Sequence, residues 1–390
     1  MHQKPINPPK VNILMLSAGI ITGAFRMMLD IIEHIDKNKF KIYVAYKPEY
    51  SEWGAYEIDL IKNSGATIVT LRGKRLFDIR GFIDLWNALQ KYHIDILHSW
   101  DVLGIPTRII GKLAGIKVVE VFASSPPVVM TDISLKHYII NKWTSFLVDG
   151  FVACSNGVMN KYQEKKLLFF KNKILSVVHN SIDVPDLGIS EDKLMSIRMK
   201  YNLRKDEIIL TNIGYFNEQK AQSDLLYTFK HVADNRADVR LIIVGWGRLE
   251  KVLKQLTKEL GIEEKVLYTG KLLRPQVFEI LSVTDLFVLS SHWEGLAIVI
   301  AEAMALGKPV VATDTCGSDE IIEDGKTGII VPIKRPDVLA QTILDLLEKP
   351  DLMVEMGKRG LDRVKKYFNC ERFIKGYEQF YLDVFQGNKN

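Results

Sequence analysis

Cysteine is scarce in this chain: Cys154, Cys316 and Cys370 lie far apart and form no CxxC. A disulfide framework or a thiolate zinc cluster needs closely spaced thiols, so the usage argues against both and suits a reducing compartment. No uninterrupted apolar run approaches the roughly 18 residues of a spanning helix. The opening MHQKPINPPK has no apolar stretch and so does not read as a secretory signal. No GxGxxG follows a strand, so the usual dinucleotide fingerprint is missing. Short-period repeats and low-complexity tracts are absent too, and nothing suggests disorder beyond a polar start, 1–10, and a polar end, 387–390. The expectation from these absences is a soluble, cytoplasmic globular protein.

What is present is enough hydrophobic material, 47% of 390 residues, to fill two ordinary domains. The formal charge of +5 is unevenly placed. Residues 1–190 carry 23 Lys and Arg against 17 Asp and Glu, and the remainder carries 29 against 30. A basic first half suits an anionic substrate or a membrane surface, and a solvated surface with uneven scatter explains it equally.

Short β-branched runs alternate with helix-period segments from end to end. VNILML, FKIYVAY, ATIVTL, IDILHS, IKVVEVF, GFVACS and KILSVVH read as strands of the first half. After a polar stretch near 191–206 the pattern restarts with EIILTNIG, VRLIIVG, KVLYTG, DLFVLSS, KPVVATD and TGIIVP. Strands with helical connections are the mark of parallel sheets covered on both faces. The reading is an α/β chain of two doubly wound, Rossmann-like domains, 1–190 and 191–365, with a strandless helical tail from 336 to 385. Ligands in such folds bind beyond the carboxyl ends of strands, where helix N-termini point into a crevice.

One segment stands out in that light: HWEGLAIVIAEAMALGKPVVATD, residues 292–314. A helix is predicted from about Leu296 to Leu306, stopped by Gly307 and Pro309. Glu302 falls inside this apolar run, and Glu294 sits at its N-terminal approach. A buried acid costs several kcal/mol unless satisfied. Eight residues of helix place the two on nearly one side, about 12 Å apart along the axis. Gly295 permits close approach of a ligand to the backbone. Taken alone, the pair reads equally as a helix cap and a buried ion-pair partner, or as two acceptors for paired sugar hydroxyls.

The surrounding block, SSHWEGLAIVIAEAMALGKPVVATDTCGSDEIIEDGKTGIIVP, resembles the retaining glycosyltransferases of family 4, whose hallmark is Glu, seven residues, Glu. The resemblance continues through NIGYFNEQKAQSDLL, LIIVGWG and YTGKL across the second half, and more loosely through ILMLSAGIITGAF, IDILHSW and VVHNSID in the first. It implies a GT-B fold, two Rossmann-like domains facing across a cleft, with a final helix from about 366 to 390 crossing back to the first. It also implies transfer of a hexose-type sugar, with retention, from a UDP- or GDP-sugar to a hydroxyl of a glycan, lipid-linked or small-molecule acceptor.

The resemblance also assigns residues. Glu302 is to bind the ribose and Glu294 the hydroxyls of the transferred sugar. Backbone N–H groups of Gly295, Leu296 and Ala297 face the sugar and phosphates. Lys220, after the loop that starts at Gly214, neutralises the diphosphate, where charge builds as the sugar–phosphate bond breaks. The Lys271–Leu272 step reads the base through backbone groups. Gly23 matches the first of two family glycines, Ala24 replacing the second, although Gly23 could simply open a helix. His98 matches a strand-tip histidine that lines the acceptor side or holds a loop, with Trp100 in place of a second histidine. The chain also departs from the pattern. The arginine that usually follows the loop glycine is absent from Gly214-Tyr215-Phe216, leaving Arg248 and Arg274 as substitutes. Ala123 and Ser124 stand where a further basic residue often lies, and no general base is assigned.

No cofactor or metal is expected beyond the nucleotide sugar as co-substrate, with Lys220 and helix-end N–H groups supplying positive potential. KYQEKKLLFFKNK, 161–173, interleaves cations with apolar residues and reads either as a membrane-resting segment, at the inner face, or as a helix packed on the core. RGKR, 72–75, is too short to indicate nucleic acid. The alternatives are a non-catalytic GT-B subunit that binds a glycan or protein partner, and a GT-B epimerase or phosphorylase.

Overall fold

The structure is a computed structural model describing residues 10–16, 23–46, 54–72, 79–100, 105–123, 135–182 and 190–388. The chain divides into two compact units, residues 1–181 with 370–390, and 182–369.

In the first unit seven strands form one parallel sheet: β1 (Val11–Leu16), β2 (Phe40–Tyr46), β3 (Thr67–Thr70), β4 (Ile96–Trp100), β5 (Lys117–Phe122), β6 (Gly150–Ala153) and β7 (Ile174–Val177). Their order is β3-β2-β1-β4-β5-β6-β7. Helices cover both faces, so a strand such as β4 is buried along its whole length and reads as a continuous apolar run rather than an alternating one. One face packs on Gly23–His34 and on the last helix, Cys370–Gln386. That last helix places Phe373, Tyr377, Phe380, Tyr381 and Val384 on one stripe, every one buried against this sheet. The other face is sealed by Leu85, Leu89 and Ile110 from the helices Ile79–Lys91 and Ile105–Leu113.

The second unit holds β8 (Ile208–Ile213), β9 (Val239–Val244), β10 (Val266–Gly270), β11 (Leu286–Leu289), β12 (Val310–Thr313) and β13 (Ile329–Val331). They form a parallel sheet in the order β10-β9-β8-β11-β12-β13. Its switch point, where successive connections turn to opposite sides, lies between β8 and β11. The polar stretch after 190 opens with a helix, Glu191–Lys200. Ser190 caps it by accepting from Lys193 N at 3.2 Å, and two acids occupy its first turn. Both units are Rossmann-like, as expected from the strand pattern. Among the described residues no helix is long and apolar enough to cross a membrane.

Of 161–173, Leu167 and Leu168 are buried, and Phe170 lies 5.2 Å from Phe151, ring centre to ring centre. Phe169 is turned outward. RGKR falls outside the described residues except for Arg72, which pairs with Asp84 at 2.7 Å.

Candidate functional site

Four loops at the carboxyl ends of β8, β9, β10 and β11 are tied together by backbone hydrogen bonds. Phe216 N donates to Trp246 O at 2.8 Å, joining the loops after β8 and β9. Gly245 N donates to Gly270 O at 3.1 Å, joining those after β9 and β10. His292 N donates to Gln219 O at 2.8 Å, joining those after β11 and β8 across the switch point. Two glycines make this packing possible. A Cβ on Gly245 would sit 1.9 Å from Gly214 O, and its φ of +145° lies outside the range of ordinary side-chain-bearing residues. A Cβ on Gly214 would lie 3.1 Å from Lys220 Cγ, so the lysine's aliphatic stem rests on the bare backbone of that glycine.

Lys220 is fixed by its neighbours at both ends. Its N–H donates to Asn217 Oδ1 at 3.1 Å, and its carbonyl accepts from Ser290 Oγ at 3.0 Å. Ala221, next in the chain, sits in the left-handed region at φ 49° and starts the helix Gln222–Asn235. A non-glycine residue held there marks a turn that the surroundings enforce. The ammonium group then meets Glu294, Nζ to Oε1 at 2.6 Å, with Lys220 17% and Glu294 6% exposed at the side chain. Ser291 Oγ donates to the same Oε1 at 2.6 Å, while among the described residues Oε2 meets Gln219 Nε2 at a long 3.4 Å. Thr313 Oγ1, at the end of β12, braces Ser291 O at 2.6 Å, and His292 Nε2 contacts Asp224 Oδ2 at 2.8 Å. The carboxylate is therefore rigid, with one oxygen saturated and the other less so.

The helix begins at Ile298 and runs to Ala305, not from Leu296. Gly295, Leu296 and Ala297 form a buried approach to it, and Glu294 lies four residues before its first turn. The predicted placement of both acids on one side of one helix is thus corrected. Lys220 and Ser291 draw Glu294 onto the neighbouring loop before the helix starts. Glu302, inside the helix, is not fully buried: its side chain is 13% exposed and lies 3.7 Å from Arg274 Nε. Each acid therefore has a basic neighbour within this unit, the ion-pair reading that the spacing left open. Gly307 takes φ 69° just beyond the helix, the position expected for a glycine stop.

Lys271 Nζ sits 4.5 Å above the Trp246 ring, and Trp246 packs edge-on against Tyr215 at 5.7 Å. Leu272 is half-buried beside it. Of the two substitutes for the missing arginine, Arg248 pairs with Glu218 on an exposed surface and Arg274 pairs with Glu302. Gly214, Lys220, Lys271, Leu272, Glu294 to Ala297 and Glu302 thus belong to one set of strand-end loops and the first helix beyond them. Gly23 is the first residue of the helix after β1, and the loop before it, 17–22, lies outside the described residues, as does Ser124.

His98 has a different setting. It is fully buried, its Nδ1 is 2.7 Å from the Tyr381 hydroxyl, and its ring lies 4.6 Å from Trp100. Burial holds its pKa down to about 3, so the ring is neutral at ordinary pH. This placement favours the holding role over the acceptor-side one: His98 fastens the last helix to β4. Among the described residues no three His, Cys, Asp or Glu side chains gather as a metal site.

Gln219, Ser291 and Thr313 were not singled out in the sequence. Ser291, three residues before Glu294, carried a usable signal, because a hydroxyl at that separation in a tight connection reaches a neighbouring carboxylate. Gln219 reaches Glu294, and Thr313 reaches Ser291 O, through the pairing of their strands, which short-range spacing does not encode.

Comparison with known proteins gives the family and the fold. Residues 195–363 match the family described as glycosyl transferases group 1. The chain is 30% identical over 308 residues to N-acetyl-alpha-D-glucosaminyl L-malate synthase of Bacillus anthracis, covering 77% of this chain and 78% of that protein. It is 22% identical over 380 residues to a UDP-Gal:alpha-D-GlcNAc-diphosphoundecaprenol alpha-1,3-galactosyltransferase of Escherichia coli, covering 94% and 95%. The Anabaena protein HepE, solved with UDP and glucose, shares the fold with a TM-score of 0.82 at 17% identity, over 96% of this chain and all of that one. The architecture is GT-B, and with that level of identity over so much of the sequence the chain belongs to the group 1 glycosyltransferases.

Proposed function

We propose that this glycosyltransferase moves a hexose-type sugar from a nucleoside diphosphate sugar to an acceptor hydroxyl, with retention at the anomeric carbon, and that it belongs to family 4. The observation that carries the reading is the meeting of Lys220 and Glu294 over the switch point of the second unit, 2.6 Å apart. A diphosphate arriving there offers Lys220 a stronger anionic partner, and the carboxylate it releases accepts hydroxyls of the sugar. Oε2, whose contact among the described residues is the long one from Gln219, is the acceptor already available. As the sugar–phosphate bond breaks, charge builds on the departing diphosphate, and the ammonium stabilises it in a setting with little competing water. Amides at the start of Ile298–Ala305 add positive potential, and no metal is needed. Glu302 takes the ribose in exchange for its contact with Arg274, and Arg274 then takes up part of the phosphate charge. The departing phosphate accepts the acceptor's proton.

UDP is the preferred nucleotide, by analogy with the UDP bound to HepE and the UDP-Gal of the E. coli relative's name. The acceptor is a glycan, a lipid-linked sugar or a small hydroxy compound. A panel of UDP- and GDP-sugars in thermal shift tests the donor, since a ligand specific for the native state raises Tm. Release of nucleoside diphosphate only on addition of acceptor separates transfer from epimerase or phosphorylase chemistry. Failure of every donor to shift Tm overturns the reading.

A further inference from the structure

The first unit carries a helix whose apolar side faces outward. Leu135–Thr144 and the single turn Ser145–Leu147 turn Asn141 and Ser145 inward, both buried. Ile139, Ile140, Trp143 and Phe146 are 45%, 47%, 61% and 58% exposed. At separations of one, four and seven residues they share one side. An ordinary surface helix is oriented the other way.

The orientation is fixed from behind. Arg108, itself buried and paired with Glu120 at 2.5 Å, donates through Nη1 to Asn141 O at 2.7 Å and to Thr144 Oγ1 at 2.8 Å. Ser145 Oγ donates to Lys142 O and accepts from Phe169 N at 2.9 Å. This second link brings the exposed Phe169 beside Trp143, ring centres 5.6 Å apart, with Lys142 Nζ 6.0 Å over the Phe169 ring. Lys173 Nζ donates to Phe146 O at 2.6 Å. Turning the apolar side inward would break the buried Arg108 contacts, so the stripe is a built surface.

Its charge identifies what covers it. Residues 139–147 and 161–173 hold six lysines and one acid, Glu164, an excess equal to the +5 of the whole chain. A second copy meeting this surface through a two-fold axis would set lysines against lysines. An anionic bilayer complements both features: aromatic rings enter the headgroup boundary while lysines reach phosphates. We propose that this surface seats the first unit on an anionic lipid membrane. The proposal is independent of the donor reading.

The test is co-sedimentation of the full chain with vesicles of phosphatidylcholine alone and of equimolar phosphatidylcholine and phosphatidylglycerol. Binding to the mixed vesicles only, weakened by added salt, is expected. Trp143→Ser with Phe146→Ser should lower the partition coefficient by about tenfold or more. Lys165→Glu with Lys171→Glu, both exposed, should lower it by about fivefold per position or more. Unchanged Tm and far-ultraviolet circular dichroism would show that both variants remain folded. No binding to mixed vesicles by the wild type, or folded variants that bind as it does, overturns the proposal. So does light scattering in which Trp143→Ser with Phe146→Ser dissociates an oligomer while vesicle binding persists, because the surface then belongs to a second copy.

Discussion

Lys220 and Glu294 neutralise one another, yet they are not equivalent: among the described residues the ammonium meets this one carboxylate, and the carboxylate also accepts from Ser291 and, at longer range, Gln219. Replacing Glu294 by Gln preserves shape and removes charge. Transfer should fall by about a hundredfold or more while nucleoside diphosphate affinity, measured by calorimetry, is kept or rises, because Lys220 no longer has to leave a carboxylate. Undiminished turnover would refute its role. Lys220→Ala should weaken diphosphate binding by about ten- to a hundredfold, the worth of a hydrogen bond between charged groups. An unaltered Kd would place the cation elsewhere. His98 makes a prediction about pH instead. In the folded protein it takes up a proton only near pH 3, and in the unfolded chain near 6.5. Its stabilising effect is therefore complete above pH 6.5 and is lost as pH falls, at about 1.4 kcal/mol per unit. Denaturant titration at pH 7 and pH 5 should show wild type losing about 2 kcal/mol more than His98→Gln. Equal losses would show that this ring does not govern the dependence.

At the scale of elements, strands were more legible than helix starts. Each of the thirteen strands among the described residues coincides with a run read as a strand, and the central ones, β4, β8, β11 and β12, are buried almost throughout, which demands continuous apolar sequence. The helix at Ile298 begins later than its apolar composition predicts. The cause is tertiary: Glu294 is held by a loop that follows β8, some seventy residues earlier in the chain. The helix Glu191–Lys200 was hidden because only Ile197 of it is buried, so it has scarcely an apolar stripe to read. The loop glycines of GWG were part of a recognised motif, but the surface they meet, the backbone of Gly214 and Phe216, was not legible. Gly245→Ala combines a backbone clash with a strained φ and should cost about 2 to 4 kcal/mol. Because Gly214 carries the stem of Lys220, the same variant should bind diphosphate less well when assayed below its Tm. A variant with wild-type stability would mean that the loops separate easily.

For the whole molecule, two Rossmann-like units followed from alternating strand and helix patterns, whereas the return of the last helix to the first unit rested on resemblance alone. A stripe of Phe373, Tyr377, Phe380 and Val384 declares a buried helix without naming its partner. Long-range packing of this kind is set by shape and volume: Gly150 is so close that an added Cβ would lie 2.8 Å from Val384. Phe380→Ala should destabilise the first unit by about 3 to 5 kcal/mol, read as a lower denaturation midpoint. Donor-induced thermal stabilisation of the second unit should survive it. Loss of both together would indicate one cooperative block.

The placement of Cys370–Gln386 also imposes an order on biosynthesis. Residues 182–369 emerge from the ribosome as an uninterrupted unit and can close on themselves at once. The earlier half has to wait, with the part of its sheet that Gly23–His34 does not reach uncovered, until Cys370–Gln386 has been translated. The half made first is thus the half completed last, and this interval is when the nascent chain has most need of chaperones.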